Sequence, residues 1–181
     1  VFIERAQSVH APILFAEEEH LLQSSSVNET GERIYQTTDF AELKGELGGL
    51  CQLKNTNTLL SSIRQLKKIG YHLTEENVRE GFAHVSKLTG LMGRWQKLEE
   101  HPALAWDPGH NVGGISYIVE QLKHQKYDRL HIVMGMVNDK DISGVLSMMP
   151  KDAIYYFTRA DVKRALPENE LQALAQQVGL Q

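Results

Sequence analysis

The sequence has a single cysteine and no long apolar segment. Cys51 is the only cysteine in 181 residues, so no disulfide can form within the chain. The lack of a cysteine framework is typical of a reducing compartment, and a cytoplasmic location is expected. No apolar run approaches the roughly 20 residues that a membrane-spanning helix needs, and the first residues do not form a secretory signal. Neither export nor membrane insertion is therefore expected.

Clustered positive charge is also absent. Lysine and arginine number 19 against 23 aspartates and glutamates, which gives a net charge of -4 and a pI near 6.1. These charges are scattered, so no basic stripe could follow a phosphate backbone, and nucleic acid is not an expected partner. The apolar share of 41% is ordinary for a globular chain, and 181 residues suffice for one large or two small domains.

Several motifs of nucleotide and hydrolase chemistry are missing. The sequence has no G-x-x-x-x-G-K-[ST] phosphate loop, no G-x-G-x-x-G dinucleotide fingerprint, no G-x-S-x-G motif and no metal-ligand cluster at recognisable spacing. The missing fingerprint argues against NAD binding, and the missing cluster means that no metal ligands are predicted in this chain. Taken by itself, the chain is not expected to perform complete nucleotide chemistry. Because it begins without methionine and in an apolar segment, we expect it to be a fragment.

The first 50 residues contain short strand patterns. Strands are predicted at residues 12–15 and 33–37, where apolar and β-branched side chains cluster. The serine-rich residues 23–31 between them are polar and end in glycine, so they predict a turn. This part of the chain is expected to form a sheet edge and hairpin.

Two helices are predicted before a domain boundary. Apolar residues recur at helical spacing over 56–69, and Gly70 is the expected stop. The next helix should begin after Thr74, whose hydroxyl can cap the free amides, and end near residues 88–90. The glycine-flanked residues 91–94 then predict the boundary between a domain at 1–92 and a domain at 93–181.

Beyond the boundary the pattern alternates between strands and helices. Strands are predicted at residues 103–106, 130–134 and 153–157, and helices at residues 114–123, 142–149 and 167–179. Continuous apolar strands separated by helices are typical of a mostly parallel sheet covered on both faces. We therefore predict an α/β fold with a Rossmann-like second domain.

The first loop of this domain carries several polar groups. In an open parallel sheet, ligands bind beyond the carboxyl ends of the strands. Asp107, His110 and Asn111 follow the first predicted strand and precede the glycines that open a helix. These side chains could bind polar ligand atoms, and they are equally the residues that an ordinary turn and helix cap use. On composition alone, both interpretations stay open.

Charged residues also follow the next two strands. Lys140 lies between two acidic residues, the second of which is Asp141. A cation there could meet an anionic substrate or pair locally. Arg159 and Arg164 lie beyond the third strand, and arginine suits carboxylates or phosphates through bidentate contacts. A solvated surface loop is the competing interpretation for both segments.

Taken in order, these segments resemble the C-terminal domain of the folylpolyglutamate synthase/dihydrofolate synthase family, which belongs to the Mur ligase superfamily. The segments are GRWQ at 93–96, DPGHN at 107–111, GMVNDKD at 135–141, and Thr158 followed by Arg164 and Ala165. The family typically shows P-G-R-x-[EQ], D-G-A-H-N, G-x-x-x-D-K-D and a late R-A pair in this order. Upstream, QLKN at 52–55 is similar to the family's H-Q-x-x-N segment.

The resemblance implies an ATP-dependent ligase that joins L-glutamate to a folate or to dihydropteroate through an acyl phosphate. Residues 1–92 would be the tail of the central ATPase domain, with the phosphate loop and the Mg²⁺ ligands before Val1. By the same resemblance, Asn55 would contact the adenine, Arg94 the phosphates, and Asp107 the ribose or phosphate end. Asp107 is also a catalytic candidate.

The remaining roles follow from the same resemblance. His110 is expected where the domain closes over the nucleotide and the incoming glutamate, as a catalytic and substrate-binding residue. Lys140, Asp141 and Arg164 are expected to bind substrate, although the first two could instead only shape their loop. The family precedent implies a monomer.

Three departures from the family pattern and two alternatives remain, and one departure is Val112 in place of a frequent proline. DPGHN replaces D-G-A-H-N, although proline and glycine still favour a tight turn. Cys51 stands where histidine or tyrosine is common in the family, so we expect it to serve packing. The first alternative is a stand-alone nucleotide-binding or regulatory Rossmann-like module without catalysis. The second is another Mur-type amino-acid ligase acting on a cell-wall precursor, against which the DKD loop argues modestly.

Overall fold

The structure, a computed structural model, describes residues 1–28 and 32–180 and contains both helices and strands. The helices are α1 (Phe2–Ser8), α2 (Gln52–Lys68), α3 (Glu75–Ala83), α4 (Val85–Thr89), α5 (Val112–Lys123), α6 (Ile142–Met148) and α7 (Glu168–Gln177). The strands are β1 (Leu22–Val27), β2 (Arg33–Thr37), β3 (Leu43–Gly45), β4 (Gln96–Glu100), β5 (Ala103–Trp106), β6 (His131–Met134) and β7 (Ile154–Phe157). The chain divides into unit 1, Val1–Met92, and unit 2, Gly93–Gln181.

Unit 1 is built on a three-stranded antiparallel sheet in the order β1-β2-β3. The predicted strand at 33–37 is confirmed as β2. The predicted strand at 12–15 is wrong, because those residues are coil and lead into a 3-10 helix at Ala16–Glu19. The predicted turn at 23–31 is wrong over 23–27, which belongs to β1, and its residues 29–31 lie outside the described ranges.

Helices pack on this sheet and close an apolar core. The buried core residues are Leu21, Tyr35, Phe40, Leu43, Leu60 and Val78. The predicted helix at 56–69 is confirmed in α2, which begins four residues earlier than expected, at Gln52. Gly70 follows it with a φ of +99°, a conformation that favours glycine. None of the helices in the described ranges is long and apolar enough to cross a bilayer.

The predicted cap at Thr74 is confirmed. Its hydroxyl accepts the N–H of Asn77 at 3.1 Å, and the Asn77 side chain accepts the N–H of Thr74 at 3.1 Å. The helix that follows does not run unbroken to residue 90. The N–H of Glu46 donates to the Phe82 carbonyl at 2.9 Å, and the Glu46 carboxylate accepts the N–H of Ser86 at 2.8 Å. Because these two groups would otherwise bond to each other within one helix, Glu46 separates α3 from α4.

Unit 2 alternates strands with helices, and its strands β6 and β7 pair in parallel, which confirms the predicted α/β class. The inward faces of these strands pack against α5, α6 and α7. The buried members of this core include Ile115, Val145, Leu146, Tyr155, Leu171 and Ala175. The predicted helices at 114–123, 142–149 and 167–179 correspond to α5, α6 and α7.

The sheet of unit 2 differs from the prediction in two respects. The predicted strand at 103–106 is β5, but it pairs antiparallel with β4 and forms a separate two-stranded sheet. β4 was not predicted, because its sequence is mostly polar and lacks an apolar strand pattern. The parallel pair is also covered on one face only, since its other face is exposed and Val133 on it is 71% accessible.

Tyr155, a tyrosine in the core of unit 2, makes the folded protein less stable at alkaline pH. Tyr155 is 8% exposed, and its hydroxyl donates to the Pro150 carbonyl at 2.5 Å. Burial, with a smaller contribution from the negative charge of Asp152, raises the pKa of Tyr155 to about 12. A raised pKa in the folded state means that this stabilisation is complete below the unfolded pKa, near 10, and is lost as the pH rises toward 12.

We therefore expect the free energy of unfolding to fall by about 2 kcal/mol between pH 10 and pH 12 through Tyr155 alone. Urea unfolding at several pH values measures this change. The Tyr155→Phe variant lacks the ionising hydroxyl and should lose less stability over the same range. Equal losses in the wild type and the variant would contradict the assignment to Tyr155.

Candidate functional site

The carboxylate of Asp107 joins two loops of unit 2. Asp107 is half-buried directly after β5. Its Oδ2 accepts the backbone N–H of Trp95 at 2.7 Å, and its Oδ1 accepts the N–H of Gly109 at 2.9 Å. Hydrogen bonds to an ionised acceptor are roughly twice as strong as neutral ones. One side chain therefore holds the segment at 93–96 against the turn at 107–110.

The segment at 93–96 has an unusual backbone. Gly93, Arg94 and Trp95 follow one another with φ values of +85°, +71° and +58°. For side chains other than glycine this conformation costs roughly 1–3 kcal/mol each, and it concentrates at functional sites. The N–H of Gly93 donates to Oε1 of Gln96 at 2.8 Å and closes the segment on itself. Arg94 is thus presented from a tightly held loop.

His110 lies in the turn that Asp107 stabilises. Its side chain is exposed, and its Nδ1 lies 2.9 Å from the Pro108 carbonyl oxygen. A carbonyl oxygen can only accept, so Nδ1 carries the proton in this contact. In the neutral imidazole, Nε2 then has its lone pair available. His110 can therefore accept a hydrogen bond, or a proton, from a ligand through Nε2.

The turn leads directly into α5. The Oδ1 of Asn111 accepts the N–H of Gly114 at 2.8 Å, so Asn111 serves as the helix cap. From the sequence, Asn111 could either bind a ligand or cap the helix. The contact observed in the structure is that of a helix cap. The first turn of α5 contains no acidic residue. Its amides therefore add positive potential beside His110.

A second group of predicted residues lies on the loops that follow β6 and β7. The N–H of Asn138 donates to the Arg164 carbonyl at 2.9 Å, and the N–H of Leu166 donates to the Met136 carbonyl at 2.9 Å. The guanidinium of Arg164 pairs with Asp139 at 2.8 Å on the surface. These contacts hold the two loops side by side.

Lys140 and Asp141 lie on the first of these loops. Lys140 is half-buried, and the Oδ1 of Asp141 accepts the N–H of Gly144 at 2.8 Å as the cap of α6. Asp141 thus has a structural task in its loop. The positive charges of Lys140 and Arg164 lie on adjoining loops and could receive an anionic group.

Asn55 belongs to unit 1. It lies exposed in the first turn of α2, where its Nδ2 donates to Oε1 of the buried Gln52 at 3.1 Å. Cys51 precedes the helix, is partly buried, and lies 3.6 Å from Nε2 of Gln52. The packing role expected for Cys51 stays a prediction.

The structure connects Arg94, Asp107 and His110 through two loops of unit 2, and it joins the loops that carry Lys140 and Arg164. Sequence reasoning missed two contacts. The side chain of Gln96 closes the left-handed segment, and its place as the last residue of the GRWQ motif could have indicated this contact. Asp139 pairs with Arg164, and the opposite charges of these residues in loops after adjacent parallel strands could have indicated the ion pair. Within 1–28 and 32–180, no group of three or more His, Cys, Asp or Glu side chains could hold a metal ion.

Comparison with known proteins gives a consistent set of matches. A family model described as Mur ligase, glutamate ligase domain, matches residues 93–181. The dihydrofolate synthase/folylpolyglutamate synthase of Escherichia coli K12 is 30% identical over 121 residues, which cover 64% of this chain and 28% of the relative. The folylpolyglutamate synthase of Lacticaseibacillus casei is 25% identical over 137 residues, which cover 74% of this chain and 31% of the relative. The chain thus matches about a third of the length of these relatives or less.

Solved structures show the same fold. A Mycobacterium tuberculosis folylpolyglutamate synthase, described as complexed with ADP and AMPPCP, superposes with a TM-score of 0.81 at 22% identity. The match covers 98% of this chain and 40% of that one. A bifunctional folylpolyglutamate synthase/dihydrofolate synthase with Mn, AMPPNP and L-glutamate bound superposes with a TM-score of 0.68 at 21% identity, over 95% of this chain and 39% of that one.

Proposed function

We propose that the chain, whose residues 93–181 match the model of the Mur ligase, glutamate ligase domain, is part of an ATP-dependent ligase that adds L-glutamate to a folate or to dihydropteroate. The proposal is supported by the match of the family model, together with relatives that are folylpolyglutamate and dihydrofolate synthases. The reaction forms one amide bond and consumes one ATP. No observation favours the stand-alone binding module or a cell-wall ligase.

The chemistry needs two steps. A substrate carboxylate oxygen attacks the γ-phosphorus of ATP, the bond to the β-phosphate oxygen breaks, and ADP leaves. The amine of glutamate then attacks the acyl carbon, phosphate departs, and the amine loses a proton. Both steps depend on neutralised phosphate charge and on a positioned, unprotonated amine.

Arg94 and His110 are the residues that we assign to these tasks. Arg94 is held on the left-handed segment, and none of the described acidic side chains forms an ion pair with it. Its guanidinium can therefore meet phosphate oxygens. His110 has Nε2 available, and we assign it to accept a hydrogen bond or proton from the glutamate amine.

The carboxylates of glutamate and the remaining nucleotide contacts need further residues. Lys140 and Arg164 lie on adjoining loops, and we assign them to the glutamate carboxylates, with Arg164 also paired to Asp139. Asp141 fixes the loop beside them. Asn55, exposed on unit 1, is assigned to the adenine. Residues 1–92 would belong to the ATPase domain of the same enzyme.

A divalent metal is the remaining requirement of phosphoryl transfer. One solved neighbour is described with Mn bound, although the described residues of this chain form no metal-ligand cluster. No residue of this chain is therefore assigned to Mg²⁺. The 181-residue sequence also contains no phosphate loop. We accordingly expect the isolated chain to be inactive and activity to need the complete enzyme.

The test is glutamate-dependent ADP release with a folate substrate, measured on the complete protein that contains this chain. The His110→Ala variant should lose about a hundredfold in turnover, because general acid–base groups typically contribute this much or more. Its melting temperature should stay unchanged, since His110 is exposed.

The matched control is His124→Ala. His124 follows α5, is exposed, and contacts only Glu120 among the described ion pairs. Its loss should leave turnover unchanged. If the wild-type protein releases no ADP in a folate- and glutamate-dependent manner, the proposed ligase function is wrong. If both histidine variants lose equal activity, the role of His110 is wrong.

A further inference from the structure

Gln52, the first residue of α2, carries a buried side-chain amide. The residue is 6% exposed, and its backbone N–H donates to the Gly49 carbonyl at 3.0 Å. The polar atoms of a buried amide need partners, because a hydrogen bond left unmade away from water is costly. Gln52 finds them on two neighbouring residues. Its Nε2 lies 3.6 Å from Sγ of Cys51, and its Oε1 accepts Nδ2 of Asn55 at 3.1 Å.

The contact with Gln52 sets the direction of the Asn55 amide. A carbonyl oxygen only accepts, so Oε1 of Gln52 requires the NH₂ group of Asn55 opposite it and not the Oδ1 atom. Asn55 is exposed, and none of the described residues donates a hydrogen bond to its Oδ1. The exposed edge of Asn55 therefore offers one acceptor, Oδ1, and the second N–H of the NH₂ group.

This edge of Asn55 suits adenine and disfavours hypoxanthine. The 6-amino group of adenine donates to an acceptor, and an adjacent ring nitrogen accepts an N–H, which is the bidentate pairing that asparagine makes with adenine. Hypoxanthine carries an oxygen in place of the amino group, so Oδ1 would face another acceptor. An asparagine without a fixed partner can turn its amide over and serve either base, since its oxygen and nitrogen have nearly the same shape.

We propose that Gln52 is a positioning residue that holds the Asn55 amide in one orientation and thereby makes the nucleotide site selective for a base with a 6-amino group. This inference rests on the proposed function, in which Asn55 contacts the adenine. It adds to that function the residue on which the choice of base depends.

The test compares the dissociation constants of ADP and of IDP, the hypoxanthine nucleotide, on the complete protein by calorimetry. Gln52→Met keeps the length of the buried side chain and removes its acceptor, whereas Gln52→Glu keeps an acceptor toward Asn55. The quantity of interest is the ratio of the two constants. Both nucleotides are titrated into the same preparation, so a partial loss of folded protein affects them equally. A merely structural role of Gln52 therefore does not change the ratio.

We expect the wild-type protein to bind ADP more tightly than IDP and Gln52→Met to reduce this preference about tenfold, as the loss of one bidentate base contact would. Gln52→Glu should retain the preference. A ratio that Gln52→Met leaves at the wild-type value would overturn the positioning role. So would a ratio that Gln52→Glu lowers as much as Gln52→Met does, because the acceptor would then not be responsible.

Asn55→Ala distinguishes a failure of this inference from a failure of the proposed function. It should weaken ADP binding and remove the preference for ADP over IDP. If it binds ADP as tightly as the wild type, the adenine role of Asn55 is wrong and the role of Gln52 with it. A wild-type protein that binds no ADP would overturn the proposed ligase function. If Asn55→Ala behaves as expected and Gln52→Met leaves the ratio unchanged, only the role of Gln52 is wrong.

Discussion

Replacing Gly135 by alanine is expected to destabilise unit 2 by about 3 kcal/mol or more. Gly135 follows β6, and a Cβ at this position would lie 2.7 Å from the backbone oxygen of Thr158. The N–H of Thr158 is bonded to the Met134 carbonyl at 3.0 Å, so the backbone of Thr158 is tied to the end of β6. The added methyl must therefore separate the ends of β6 and β7. Chemical denaturation of the two proteins measures the loss.

The control for this change is Gly113→Ala in the same unit. A Cβ on Gly113 would have Oδ1 of Asn111 at 3.6 Å as its nearest neighbour, which is ordinary van der Waals contact. Gly113 lies in α5, where alanine is the better helix former, so stability should stay constant or rise by up to about 1 kcal/mol. Equal destabilisation by both changes would show that the Thr158 contact is not responsible.

Replacing Gly93 by alanine is expected to cost about 3 kcal/mol and to disturb the presentation of Arg94. Two effects add at this position. The φ of +85° strains any residue with a Cβ, and the new atom would lie 2.6 Å from Cδ of Pro108, which belongs to a rigid ring. The segment can relieve this contact only by moving away from the turn at 107–110. The hydrogen bond from Trp95 to Asp107 would then lengthen.

Gly179→Ala isolates the first of these effects. Its φ of +83° nearly equals that of Gly93, but the nearest atom to its Cβ would be Nζ of Lys151 at 4.0 Å. We expect a loss of about 1 kcal/mol from backbone strain alone. The difference between the two variants measures the contact between the loops. If Gly179→Ala costs as much as Gly93→Ala, Pro108 does not restrict the segment.

These predictions bear on the proposed ligase because the same contacts define the candidate site. Gly93 allows the left-handed segment to approach Pro108, and Gly135 allows β6 and β7 to stay paired where the loop of Lys140 begins. The full enzyme carrying Gly93→Ala should therefore lose ADP affinity together with stability. Gly179→Ala should lose stability alone.

Much of the fold was predictable from local signals. The Thr74 cap, the helical spacing after residue 56 and the glycine stop at Gly70 each depend on neighbours within a few residues, and the structure confirms all three. The alternation of apolar strands and helices after residue 93 predicted the α/β class for the same reason. The order of short motifs predicted a resemblance to folylpolyglutamate synthases, and the model of the Mur ligase, glutamate ligase domain, matches residues 93–181.

The predictions of local structure that were wrong failed because contacts with distant parts of the chain decided the structure. The serines of β1 have low strand propensity, yet they pair with β2 because its ladder offers partners such as Tyr35 opposite Ser25. Glu46 divides the predicted helix at residues 74–90 from some 40 residues away. The predicted site residues all remain predictions, since their roles depend on contacts with ligands: Asn55, Arg94, Asp107, His110, Lys140, Asp141 and Arg164.

What the sequence by itself determined is therefore the class of fold, most helices and the family resemblance. These depend on periodicity, capping and motif order, which are properties of adjacent residues. Only the tertiary structure decided that Asp107 joins two loops and that Arg164 pairs with Asp139. A hydrogen bond between residues 12 or 25 positions apart has no local signal, because its geometry exists only after the backbone has folded.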